Sequence, residues 1–233
     1  MANSPIPAAS GTPSRLASLD ALRGFDLFWI CGADAFGHAF LKAANGPVSH
    51  AIADQLEHVA WQGFRFYDLI FPLFVFISGI SIVLSRGAKP EAGDRSGAFL
   101  AILKRAVVLY LLGVFFYRGY TGWENDIRYL GVLQRIALCY FSAATLHLFL
   151  SPRALRITVV AILLGYWGLL TLVPVPGVGP ANLQPDTNLA HWVDAQFLGG
   201  KKWNGAHDPE GLLSTLPAIA SCLLGVLAGL FLK

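Results

Sequence analysis

Six apolar runs dominate this chain: Leu22–Leu41, Tyr67–Ser85, Ala98–Tyr117, Tyr129–Leu150, Leu155–Pro174 and Leu212–Leu232. Each is long enough to cross about 30 Å of hydrocarbon. Charged side chains gather between the runs instead of spreading along the chain. In lipid every backbone N–H and C=O must find a partner within the protein, which leaves helices and closed barrels. Alternating strands of about ten residues are missing, so the expected fold is all-α, a polytopic transmembrane bundle of about six spans. Pro72 and Pro217 fall in the first turns of their runs, where proline costs least. Composition excludes an ordinary soluble domain. The 233 residues are 55% hydrophobic and 13% charged, against about 25% charged in soluble proteins, and mean hydropathy is +0.56. A net charge of +3 without a basic, aromatic patch gives no reason to expect nucleic acid. Lipid is the implied partner. Cys31, Cys139 and Cys222 each lie inside an apolar run, lack metal-ligand spacing and read as small core residues. No metal is expected.

Residues 1–18 are rich in Pro, Ser and Ala and read as a disordered tail, leaving residues 19–233 as the membrane domain. The tail lacks the pattern of a signal peptide. Lys and Arg in the short loops set orientation. With the N-terminus inside, ten fall on the inner side and six on the outer, with Arg135 uncounted inside the fourth run. The cluster from Arg86 to Arg105 strengthens that asymmetry. His58, Asp68 and the long segment from Val175 to Gly211 then lie outside.

The first run is unusually polar. Asp20, Arg23, Asp26, Asp34 and His38 lie within or beside it. On a straight helix they share a stripe about 120° wide. Ionisable groups at such positions face a bundle interior or a water-filled cavity. Asp20, Arg23 and Asp26 can also be read as an ion cluster that pins one helix end. Asp34 and His38 have no basic neighbour in sequence and read better as cavity-lining groups.

The stretch from His58 to Gly79 opens with His58, Trp61, Gln62, Arg65, Tyr67 and Asp68 before turning wholly apolar. A histidine at a membrane surface can be a general base, an acyl carrier or a metal ligand. The plainer reading is an aromatic belt with solvated polar groups. In the fourth run Gln134 and Arg135 sit one to two turns from its outer end, and Asp68 is at a depth where it could pair with Arg135. Asp208 and Glu210 precede the last run, where acids also suit a helix N-terminus. Lys104 and Arg105, with Arg86, Lys89 and Arg95, could hold a phosphate-bearing cofactor, or could simply obey the positive-inside rule.

Four blocks carry a resemblance: SLDALRGFD at Ser18–Asp26, HVAWQGFRFYDLIFPLFVFISG at His58–Gly79, GVLQRIALCY at Gly131–Tyr140 and DPEGLLSTLPAI at Asp208–Ile219. In that order they resemble the lysosomal heparan-alpha-glucosaminide N-acetyltransferase family and its bacterial relatives. The resemblance implies a bundle of about ten or eleven spans, of which this chain matches the N-terminal part. It implies transfer of an acetyl group from cytosolic acetyl-CoA to the amine of an amino sugar across the membrane. The family's catalytic histidine corresponds to His58, ahead of Trp61 and Gly63. A family asparagine in the first span corresponds to Asp34, and an acid there could recognise an amine instead. The short tail points to a bacterial inner-membrane form with a cytoplasmic N-terminus.

Residues and resemblance together give an integral membrane acyltransferase. His58 and Asp68 are its catalytic pair. Asp34, Trp61, Gln134, Arg135, Asp208 and Glu210 are the acceptor and acyl contacts. Lys104 and Arg105 are the contacts to coenzyme A, and a homodimer is a possible assembly. His58 could take the acceptor's proton or carry the acetyl group. The competing classes are a transporter, for which the polar stripe would be a solute path, and a structural subunit.

Overall fold

The computed structural model describes residues 17–44, 46–85, 94–121, 127–205 and 207–233, with the side chains of residues 33, 34, 38 and 118–121 excepted. The residues expected as a tail up to 16, Arg86, Lys89 and the side chains of Asp34 and His38 therefore lie outside the described residues. Helix α1 spans Ala17–Ala43 and begins inside the segment expected to be tail. A short α2 follows at Pro47–Gln55. A 3-10 turn at Phe66–Leu69 leads into α3, Ile70–Leu84. Then come α4 at Arg95–Thr121, α5 at Val132–Phe149, α6 at Pro152–Leu172, the short α7 at Leu189–Phe197 and α8 at Thr215–Leu232. Each of the six expected runs holds a helix, although the fourth and sixth begin three residues before theirs, and Pro72 and Pro217 occupy first turns of α3 and α8.

Five of these helices are long and apolar enough to cross a membrane. They are α4, α5, α6, α8 and α3 with its leading turn. The first expected run lies in α1, which is long enough but falls short in apolarity because Asp26, Asp34 and His38 interrupt it. It also bends. Gly32 departs from helical geometry at φ −178° and ψ 16°. The straight-helix stripe through Asp20 and His38 therefore breaks at Gly32, because a kink resets the angular phase of every later residue. On the near side of the kink, Arg23 bonds Asp20 at 3.0 Å and donates to the Ser81 hydroxyl on α3. Asp26 does not join that cluster. It is fully buried, and neither carboxylate oxygen has a hydrogen-bond partner among the described residues.

The core lies where α3, α5, α6 and α8 meet, around Val75, Val83, Cys139, Leu155, Cys222 and Leu223. Two of the three cysteines are core residues as expected, whereas Cys31 is exposed on α1. Many large apolar side chains of α4 and α6, such as Leu111, Phe115, Leu164 and Trp167, are exposed. That suits faces turned to lipid, where no water penalises them. At the centre, α3 and α8 touch backbone to backbone. A Cβ on Gly79 would sit 2.0 Å from the Cys222 carbonyl oxygen, and one on Gly225 would sit 2.0 Å from that of Phe76. Gly229 continues the same face of α8 one turn on, giving a Gly-x-x-x-Gly seam.

Gly225→Ala should therefore cost about 2 kcal/mol, the range for overpacking a tight interior. Gly165→Ala on α6, where a Cβ meets nothing within 4 Å, should be neutral or stabilising by less than about 1 kcal/mol. Thermal unfolding of the detergent-solubilised protein measures both, and equal melting temperatures for the two variants would contradict the seam.

Candidate functional site

The second block folds into a short loop that aims a histidine. Asp68 lies in the 3-10 turn, and its Oδ2 accepts from the Arg65 backbone N–H at 2.9 Å. That bond fixes the carboxylate, and its Oδ1 lies 2.7 Å from His58 Nδ1. Nδ1 therefore carries the proton, and Nε2 keeps its lone pair. The His58 side chain is 67% exposed, so that lone pair meets solvent. The Tyr67 ring lies against the imidazole at 4.7 Å. Arg65 holds the loop closed by donating to the His58 carbonyl at 3.2 Å and approaching Glu57 at 3.6 Å. The pairing of Asp68 with Arg135 that depth alone allowed does not form. Asp68 is engaged by His58 and Arg65, and Arg135 donates to the Ser214 hydroxyl.

Trp61 ties this loop to the segment before α7. Its indole N–H donates to the Leu183 carbonyl at 2.9 Å, and its ring meets His191 edge-on at 5.1 Å. Asn188 caps α7 by accepting from the His191 N–H at 3.0 Å, which places His191 in the first turn, facing inward. Further along α7, Asp194 is buried and accepts from the Leu212 N–H at 2.8 Å, so it satisfies a donor in the turn leading to α8. Burial pushes Asp194 up, against the pull of those backbone donors.

Behind Trp61 lies a buried charge network. Arg128 reaches Asp208 at 2.8 and 2.5 Å and Glu210 at 2.5 Å. Its guanidinium is flanked by the rings of Tyr117 and Trp203, at 4.8 and 5.2 Å. Desolvation alone would raise Asp208, but the guanidinium outweighs it and holds the carboxyl below its ordinary value. Glu210 moves up, through burial and its hydrogen bond with Asp208. Gln134 is fully buried and donates to the Arg128 carbonyl at 3.3 Å. The sequence reading counted Arg128 only as a loop charge, and placed Asp194 in the outer Val175–Gly211 segment without a role in the site. A cation abutting an apolar run needs an acid, and Asp208 with Glu210 offered one, which is the signal that could have found Arg128. Gly200, at φ +74°, lets the 200–201 backbone close on Ile127, whose oxygen a Cβ there would meet at 2.0 Å.

Along α3 from Phe74 to Ser85, a cavity of about 600 Å³ opens between α3, α4 and α5. Arg23, Arg105, His147, Ser78 and Ser81 contribute its polar lining. Arg105 thus faces a concavity, whereas Lys104 is exposed and does not line it. Phe74 is the α3 lining residue nearest to Asp68. They are six positions apart, about 10 Å along the axis.

His191 generates a pH prediction. Burial, with His207 adding to it and Asp186 opposing, lowers its pKa from 6.5 to about 4. Between those values the unfolded chain binds more protons than the folded one, so stability must fall as pH drops through 6.5 toward 4. His191→Gln has no such proton to bind. In chelator-treated protein its melting temperature should change less between pH 7 and 4.5 than that of the wild type, as differential scanning fluorimetry in detergent would show.

Comparison with known proteins now bears on this geometry. The family described as heparan-alpha-glucosaminide N-acetyltransferase, catalytic, matches residues 15–192. The human (Homo sapiens) heparan-alpha-glucosaminide N-acetyltransferase is 29% identical over 271 aligned residues, covering 94% of this chain and 39% of the relative. The mouse (Mus musculus) protein of that name is 29% identical over 267, covering 93% and 39%. The chain thus spans about two fifths of the length of these curated relatives. The matched region takes in the His58–Asp68 loop, Trp61, Arg128 and α7 as far as Trp192, and the chain belongs to the heparan-alpha-glucosaminide N-acetyltransferase family.

Proposed function

We propose that this chain is the part of a membrane N-acetyltransferase that moves an acetyl group from acetyl-CoA on the inner side to an amino sugar on the outer side. The observation that carries the reading is the exposed His58 held by Asp68 at 2.7 Å. An oriented Nδ1–H and a solvent-facing Nε2 are what a general base needs. The acceptor amine attacks the thioester carbonyl carbon, and His58 Nε2 takes the proton the nitrogen sheds. The carbon–sulfur bond breaks, an amide forms, and the proton leaves with the thiolate as free thiol. Asp68 stabilises the imidazolium formed on the way, as the carboxylate does in other histidine–aspartate pairs.

The basic cavity supports the donor side of this reading. Arg105 and Arg23 suit phosphate groups, with Lys104 as an outlying cation. The cavity ends about 10 Å along α3 from Asp68, a gap that the acyl end of an extended donor can enter. Trp61, three positions after His58, is exposed and suits stacking on a sugar face. Asp34 remains the candidate contact for the amine. Asp208 and Glu210 are engaged by Arg128, while Gln134 and Arg135 each have, among the described residues, one protein partner and one buried polar atom without one, so all four form the frame behind the acceptor rather than its first contacts. The setting is a bacterial inner membrane with the N-terminus in the cytoplasm.

His58→Ala should lower transfer of radiolabelled acetyl from acetyl-CoA to amino sugars by about a hundredfold or more. Asp68→Asn should also lower it, through loss of the fixed tautomer. Coenzyme A binding should persist in both, because neither side chain lines the donor cavity and its Arg23 lies by Ser81, toward the far end of α3. His50→Ala is the control. Near wild-type transfer by His58→Ala, in membranes where the unmodified protein is active, would refute the assignment.

Sidedness has its own test. With Cys31 replaced, single cysteines at the exposed positions His50 and Asn204 should react with an impermeant thiol reagent outside sealed cells, and one at Ser96 should not. Labelling at Ser96 from outside would overturn the orientation.

A further inference from the structure

Beside the acetyl-transfer residues lies a second cluster with chemistry of its own. His191 and His207 stack face to face, with centroids 3.5 Å apart and planes 6° from parallel. Both are buried, and Asp186 sits at their edge with a mostly exposed carboxylate. One ligand atom from each of the three lies within 4.8 Å of the other two. Asp186 Oδ1 is 3.0 Å from His207 Nδ1 and 3.9 Å from His191 Nδ1. Two ligands at the usual 2.0–2.1 Å from a tetrahedral ion stand about 3.3 Å apart, so these separations bracket what an ion requires.

The hydrogen bonding around the rings fixes which nitrogens carry lone pairs. His191 Nδ1 accepts from the Asp186 backbone N–H at 2.8 Å, so it holds a lone pair, as a metal ligand must. His207 Nδ1 is buried without a hydrogen-bond partner, for the nearby Asp186 carboxylate approaches without hydrogen-bond alignment. Asn204 engages the other nitrogen, Nε2, at 3.1 Å and orients the ring, the part an outer partner plays for a metal-bound imidazole. Asp186 takes a positive φ of 62°, uncommon for a residue with a side chain.

We infer that Asp186, His191 and His207 form a site for one divalent transition-metal ion of the zinc class. Two imidazoles and one carboxylate select such ions over magnesium or calcium, which prefer oxygen-only shells. Three protein ligands leave a position open on the exposed Asp186 side, for water or a substrate oxygen. Loading the site requires one imidazole to tilt out of the stack and His191 to release the Asp186 amide, because lone pairs in parallel planes do not converge. The ion would staple the segment before α7 to the segment before α8, the two pieces of chain that meet Trp61 and Arg128. The inference does not depend on acetyl transfer.

The test uses the full chain, purified in detergent, stripped with chelator and dialysed against Co²⁺ or Zn²⁺. Elemental analysis should find about one ion per chain. Bound Co²⁺ should give the visible absorption of a four-coordinate site, and Zn²⁺ should raise the melting temperature reversibly. His207→Gln and His191→Gln should each weaken Co²⁺ binding by about tenfold or more, and Asp186→Asn should weaken it less. His50→Ala should change nothing. Wild-type protein that takes up no ion after reloading would overturn the site, as would a folded His191→Gln/His207→Gln double variant that binds as the wild type does.

Discussion

Everything in this bundle hangs on the closeness of α3 to α8. Lipid tails are as apolar as leucine, so membrane helices gain little from hiding apolar surface from each other and depend on close packing. Gly79 and Gly225 remove the side chains that would hold the two backbones apart. The consequence appears at the end of the bundle, outside the seam. The start of α3 carries the His58–Asp68 loop, and the approach to α8 carries His207, Asp208 and Glu210. With the two helices locked, these segments, about 150 residues apart in the chain, are held over the same end.

That end is organised by charge buried with its partners. Arg128 is nearly inaccessible and meets two carboxylates and two aromatic faces. Removing one partner from such an arrangement leaves an uncompensated charge, which costs about 3–5 kcal/mol where it has been measured in other proteins. The network is therefore better suited to fixing geometry than to binding a mobile ligand. His58 is its opposite, a side chain fixed on one nitrogen and open on the other. A charge-paired frame behind one exposed base is the division of labour that preorganised sites use.

The two ends of α3 differ in kind. One presents a histidine–aspartate pair, and toward the other run the arginines, serines and histidine in the wall of the cavity along the helix. Asp26 lies on α1, buried and without hydrogen-bond partners among the described residues. A carboxylate so placed is expensive to keep, and it marks α1 as polar well into its length.

The all-helical membrane bundle was legible in the sequence, because length and apolarity decide which segments helices can carry through hydrocarbon, and both are properties of the chain alone. His58, Asp68 and Trp61 were legible too, since they stand within ten residues of one another and one loop brings them together. Tertiary structure alone decided the partners. Asp68 bonds His58 and not Arg135, Arg128 meets Asp208 and Glu210, and Asp186 meets His191 and His207. An ion pair depends on distances of a few ångströms between segments far apart in sequence, and those distances follow from how helices pack. The first helix shows the limit from the other direction. A stripe computed at 100° per residue holds only while the helix stays straight, and the break at Gly32 ends it.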